Sequence, residues 1–427
     1  MDAAGRVVLL RGVNDVEKDA PFYPAATGFG SDDVAFLAER GFSVVRLGVV
    51  FEGLMPEPGT IDFEYIEHLV QSVRDLAAQR IFVLLDFHQD GYGPATHGNG
   101  MPAWATLTDG LPDPPDPFPT YYLTNPALKR AFDNFWANGL ASDGIGLQDH
   151  YAAAAAALAA RLRDEPYVLG LEAMNEPWPG TKFVSCLTGC PDLESQLLVP
   201  FYERFASAVR AVDPDTLIFV EPFSLFNFGL TDSALPAIGA PKSAFSFHAY
   251  ASSPEGNLAV INHAVAVGER IGSAVLATEW GGTDDPDVID LESDQFDQDL
   301  VPWIYWSYTG HMIVDTTKPP TDDNLRADVV RAVTRPYPLT TNGTPLSLSF
   351  DPATRMLTYE YATKRPDGRR LIPFRTGIVL PPAVYPNGYR VSVQGAFVTS
   401  RPGAARLELL NDPRASKVSL TVMPGPE

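Results

Sequence analysis

The chain has 427 residues, more than one average domain, and 45% of them are hydrophobic against 20% charged, enough to bury a large core and too apolar for general disorder. Its 53 acidic and 31 basic residues give a net charge of -22, which repels phosphate backbones and excludes nucleic acid as an expected partner. No run of about 18 apolar residues offers a helical membrane span.

In chain order, short apolar, β-branched runs occur at residues 7–14, 43–49, 81–86, 168–174, 216–221, 244–250, 274–279 and 303–307. Between them lie segments of helical spacing with polar faces, among them 31–40, 65–79, 151–163, 193–212 and 254–270. Repeated βα units whose strands are apolar on both faces predict a parallel sheet, and eight of them predict an α/β fold, a (β/α)8 TIM barrel, over residues 1–335. After Pro336 the runs shorten and are separated by Pro, Gly and Asp turns, which predicts a C-terminal antiparallel β-sandwich domain over residues 336–427.

Residues 88–145 form a long connection rich in Pro and Gly, and such connections in compact domains usually carry function. Cys186 and Cys190 stand four apart in a Gly-containing segment, a spacing that suits a loop disulfide and that a reduced loop also tolerates. The disulfide is the favoured reading. With no basic-then-apolar leader at the N-terminus, the expectation is a secreted or cell-envelope protein whose leader is absent from this chain, with a cytoplasmic protein as the alternative.

A (β/α)8 barrel presents its active face at the C-terminal strand ends, so polar residues that close apolar runs are the first candidates. Glu176 follows the fourth run in Asn175-Glu176-Pro177, and Glu279 ends the seventh in Glu279-Trp280-Gly281. Cleaving a glycosidic bond with retention needs one carboxylic acid to protonate the leaving oxygen and one carboxylate to attack the anomeric carbon, about 5 to 5.5 Å apart. Glu176 is read as general acid/base and Glu279 as nucleophile. Most glutamates are solvated or ion-paired, and Glu172 is assigned to that ordinary class.

Arg46, on the second strand, is expected to support Glu279 by a charged hydrogen bond, with His248 in a similar supporting role. His88, Asp90 and His97 make a weak metal set, since one His-x-Asp pair in a loop lacks the ligands a site requires. Neither a metal nor another cofactor is expected. Apolar residues crowd the segment from Pro222 to Leu230 and reappear as Phe183, Val184 and Leu187. Exposed at an active face they would suit a greasy ligand, with Phe223 and Phe226 as contacts; the alternative is packing onto neighbouring helices or the sandwich.

The pairing of Asn175-Glu176-Pro177 with Glu279-Trp280-Gly281 resembles glycoside hydrolase family 5. Asp86-Phe87-His88-Gln89-Asp90-Gly91-Tyr92, followed by Gly98-Asn99-Gly100-Met101-Pro102-Ala103-Trp104-Ala105, resembles its endoglycoceramidase branch, which includes endogalactosylceramidases, as does the terminal sandwich. That resemblance implies a retaining endo-β-glycosidase that hydrolyses the linkage between the glycan and ceramide of glycosphingolipids. It implies that His88 and Asp90 hydrogen-bond hydroxyls of the sugar beside the scissile bond, that Trp104 lines the sugar subsites, and that Asn175 holds the 2-hydroxyl. It further implies that Tyr250 positions the nucleophile and that Trp306 stacks on a sugar. The expected partner is a glycosphingolipid, met by a monomer in transient contact with a membrane or micelle surface. The rival readings are an endo-β-1,4-glucanase or β-glucosidase of the same clan, and a non-catalytic glycan-binding barrel. Glucose and galactose beside the ceramide are left undecided.

Overall fold

Strands covered on both faces are mostly apolar and lie buried along nearly their whole length, and the runs found here behave that way. In the computed structural model, which describes residues 1–426 apart from Thr188, Asp367 and residues 369–373, Arg11–Asp15 and Val44–Val50 are buried at every position, and Phe82–His88 at all but its first. These three strands, with Val168–Glu172, Leu217–Val220, Ser243–Ala249, Val275–Trp280 and Trp303–Tyr305, close an eight-stranded barrel in chain order. The predicted run at 7–14 divides. Val7–Val8 pairs antiparallel with Tyr337–Thr341, and only Arg11–Asp15 enters the barrel.

The helices between strands carry ordinary start and stop chemistry. Asp62 caps Phe63–Ala78 by accepting from the Tyr65 amide. Ser253 caps Pro254–Ile271, which opens on proline and ends at Gly272, whose φ of 67° releases the chain from the helix. The long connection after the third strand is more ordered than its composition suggests. Asn125 caps a helix at Pro126–Trp136 that buries Leu128, Phe132 and Phe135. The prolines of residues 112–119 obscure that periodicity in the sequence.

The chain gathers into two compact units. One comprises Asn14–Ser31 and Val45–Trp280; the other comprises Met1–Val13, Asp32–Val44 and the chain from Gly281 onward. Within the second, a five-stranded sheet runs in the order Val7–Val8, Tyr337–Thr341, Thr376–Val379, Arg406–Asn411, Ala396–Val398. A four-stranded sheet runs Thr344–Asp351, Met356–Ala362, Lys417–Pro424, Tyr389–Gln394. In Met356–Ala362, Arg406–Asn411 and Lys417–Pro424 alternate residues point inward: Leu357, Tyr359 and Tyr361, with Val418, Leu420 and Val422, share one core with Ile378, Leu407 and Leu409 of the other sheet. In the same unit Arg335 bridges Asp290 and Asp294 of the helix Pro286–Gln298 and lies 5.2 Å over the Phe350 ring.

Candidate active site

A charged side chain inside a strand buried on both faces must find partners within the fold. Arg46, fully buried in Val44–Val50, finds several. Its Nε donates to Glu172 at 2.5 Å, Nη1 to Glu279 at 2.5 Å and to Asn14 at 3.0 Å, and Nη2 to Asn175 at 2.8 Å, while Asp86 lies 2.9 Å from Nη2. Burial alone would lower its pKa, but Asp86, Glu172 and Glu279 together hold it well above the usual arginine value. One guanidinium therefore joins the ends of the third, fourth and seventh barrel strands.

Glu279 is 5% exposed and each of its oxygens has a protein donor. Oε1 accepts from Arg46, and Oε2 accepts from the Tyr250 hydroxyl at 3.1 Å. Glu176 is held differently. Its backbone φ of 43° is left-handed, a conformation that costs a non-glycine residue energy and persists only where neighbours fix it. Gln89 supplies that restraint, because its side-chain amide donates to the carbonyls of Asn175 and Glu176 at 2.8 and 3.1 Å.

The link between the two glutamates is His248. Its Nδ1 lies 2.8 Å from Glu176 Oε1 and 3.6 Å from Glu279 Oε2, so the facing carboxyl oxygens are separated by no more than the sum of those distances. Its Nε2 lies 3.1 Å from Glu221, which is fully buried. Burial works against a charged imidazole, but Glu221 and Glu279 raise the His248 pKa well above the usual histidine value. Burial raises that of Glu221 in turn, against the pull of His248. Among the described residues, no hydrogen bond reaches Glu176 Oε2.

A second chain of charges enters from the third strand. His88 is pinched between Asp86, 2.7 Å from Nδ1, and Asp90, 3.2 Å from Nε2. Burial would lower its pKa, yet the two carboxylates raise it to about 9. Asp90 Oδ2 also receives Lys18 at 2.6 Å and Asn99 at 3.3 Å. Lys18 and His88 hold Asp90 well below the usual carboxylate range despite its burial.

Of the residues singled out in the sequence, Arg46, His88, Asp90, Asn175, Glu176, His248, Tyr250 and Glu279 thus meet in one network. Trp104, Phe223 and Phe226 do not join it. Trp104 is half-buried, with Nε1 on the Met55 carbonyl at 3.1 Å and its ring edge-on to His150 and Phe51. Trp306 belongs to the other compact unit. Phe223 and Phe226 correct the expectation of an open greasy face, since each is 1% exposed. Phe223 packs on Trp136, and Phe226 on Phe245 and Phe247, because the chain after the fifth strand turns its rings back onto the barrel wall. The apolar side chains that do reach solvent nearby in sequence are Val184, Leu187 and Leu230. Cys186 and Cys190 form a disulfide.

Asp86, Glu221, Gln89 and Lys18 were not singled out, and Glu172 was assigned to the solvated or ion-paired class; all five sit in the network, Glu172 as an ion-pair partner of Arg46. Three had a legible signal. Asp86, Glu172 and Glu221 are acidic residues at the ends of runs otherwise apolar, and a doubly buried strand does not carry a charge without a partner. Lys18 lies in a polar loop and Gln89 beside more conspicuous neighbours, so neither had one.

A family model described as Cellulase (glycosyl hydrolase family 5) matches residues 1–312, and one described as Glycoside hydrolase family 5 C-terminal domain matches residues 335–422. The chain belongs to glycoside hydrolase family 5. Endoglycoceramidase I of Rhodococcus hoagii is 34% identical over 440 residues, an alignment covering 96% of this chain and 84% of the relative. The solved structure of Endo-glycoceramidase II from Rhodococcus sp. superposes with a TM-score of 0.83 at 29% identity, covering 100% of this chain and 99% of that one. That relative has also been solved as a lactosyl-enzyme intermediate and as a ganglioside GM3 complex. The crystal structure of endogalactoceramidase superposes with a TM-score of 0.77 at 25% identity, over 99% of this chain and 97% of that one.

Proposed function

We propose that this glycoside hydrolase is a retaining endo-β-glycosidase that cleaves the bond between the glycan and the ceramide of glycosphingolipids. The observation that carries the mechanism is the shared imidazole, which holds Glu176 and Glu279 at short range but in different company. Such a spacing accords with the ~5 to 5.5 Å of retaining enzymes rather than the roughly 6.5 to 9.5 Å that leaves room for an intervening water. Glu279, held by Arg46 and Tyr250, attacks the anomeric carbon. Glu176, whose Oε1 is engaged by His248, uses Oε2 to protonate the leaving ceramide oxygen, then takes a proton from the water that releases the glycan.

Asp90 receives a hydroxyl of the reacting sugar on Oδ1, which no described residue occupies. His88, with both ring nitrogens on carboxylates, orients Asp90 rather than donating to the sugar itself. Asn175 keeps one amide hydrogen for the 2-hydroxyl, its other groups being spent on Arg46 and the Gln89 carbonyl. The ceramide assignment draws on the relatives of Rhodococcus. The disulfide supports residence in an oxidising compartment, secreted or in the cell envelope. We assign the working form as a monomer that meets lipid through Val184, Leu187 and Leu230 rather than through Phe223 and Phe226.

A hydrolysis assay with a glycosphingolipid beside a cello-oligosaccharide tests the substrate. Release of intact glycan from the glycolipid is expected, and turnover of the cello-oligosaccharide alone would replace this reading with an endoglucanase.

A further inference from the structure

Where Asp90 leaves the charged network, a cavity of about 730 Å³ opens. Its aromatic walls are Phe22, Phe118 and Tyr121, and Phe118 is 61% exposed, as a platform for a flat ligand face would be. Among the described residues no Leu, Ile, Val or Met lines it, so it does not suit an acyl chain. Two acceptor atoms of residues in this wall, Glu52 Oε2 and Asn99 Oδ1, are buried without a hydrogen-bond partner among the described residues. Unused acceptors call for donors, and sugar hydroxyls supply them.

The charge of the wall narrows the ligand further. Its two basic residues are already taken: Lys18 by Asp90 at 2.6 Å, and His97 by Asp113 at 3.0 Å. Three carboxyl groups remain on the wall, Asp19, Glu52 and Asp116, with no cationic partner among the described residues. A ligand carboxylate entering here brings acceptors to acceptors and negative charge to negative charge, at a cost that grows as water leaves the cleft.

We infer that this cavity seats the distal sugars of the glycan and selects uncharged glycans over those carrying acidic sugars. The inference rests on the glycolipid reading above. Asp19 and Asp116 are the selecting residues, both on this wall, which neither Glu176 nor Glu279 lines.

The test compares kcat/KM for a neutral three-sugar glycolipid and for the acidic three-sugar ganglioside GM3, in the same detergent and in low and high salt. About a tenfold preference for the neutral substrate is expected at low salt. It should fall toward one in 1 M salt, where screening shortens to about 3 Å. The double substitution Asp19→Asn with Asp116→Asn should lower the same ratio at low salt. Equal cleavage of the two glycolipids by the unaltered chain, or a ratio moved by neither salt nor the double substitution, overturns this inference alone. Cleavage of neither glycolipid overturns the reading of the reaction, and this inference with it.

Discussion

The barrel mouth and the sandwich core are both buried, yet they are held by opposite means. At the mouth, Arg46, His88 and His248 are held among Asp86, Glu172, Glu221 and Glu279, and each group is tolerable only because its neighbours carry the other sign. In the sandwich, Leu357, Val418, Leu420 and Val422 lose water without needing any particular partner. A charged interior buys fixed geometry at the cost of brittleness, whereas an apolar interior tolerates change one methyl group at a time. Substitutions at the two places should therefore differ in size, in pH dependence and in what they abolish.

The sharpest break comes from chemistry without loss of fold. Glu279→Gln keeps size and hydrogen-bonding capacity but removes the attacking oxygen's charge, so kcat should fall by at least about a thousandfold while the thermal midpoint stays close to the parent. Steady-state assay and calorimetry together read this out. Next in size, Arg46→Met strips the cation from a dry cluster of carboxylates. Stability should drop by about 3 to 5 kcal/mol in denaturant unfolding, the range for breaking a buried pair by removing one partner.

The third effect is one of pH. His88 titrates at about 9 in the folded protein, against roughly 6.5 when unfolded. A histidine with a raised folded pKa adds stability that is complete below the unfolded value and is lost as the pH climbs through the folded one. Melting temperature should thus decline from about pH 6.5 to pH 9, the full contribution being on the order of 3 kcal/mol, and His88→Gln should flatten that decline. The smallest effect belongs to the sandwich. Tyr359→Phe deletes one hydroxyl that meets Thr341 at 2.6 Å and should cost about 1 kcal/mol, the same at pH 6 and pH 9.

The contrast between the two regions also explains what could be read from the sequence. Barrel strands buried on both faces and sandwich strands buried on one leave distinct periodicities, so the eight runs and the change after Pro336 were visible. Strand-end position exposed Glu176 and Glu279. Asp86, Glu172 and Glu221 obey the same logic, but recognising them requires treating every charge at the end of an apolar run as a partner of some other charge, and pairing is a three-dimensional property. Phe223 and Phe226 mark the opposite difficulty. A loop has no period, so nothing in the order of residues separates a ring that lines a groove from one that folds back onto Trp136 or Phe245.

The two-carboxylate mechanism is tested most directly by finding where the sugar attaches. Incubated with a 2-deoxy-2-fluoro-β-lactosyl donor, which slows release of a glycosyl-enzyme more than its formation, the protein should gain the mass of one fluorolactosyl group, and peptide mass spectrometry should locate it on Glu279. A label on any other residue, or steady turnover with inverted product and no label, would contradict the account.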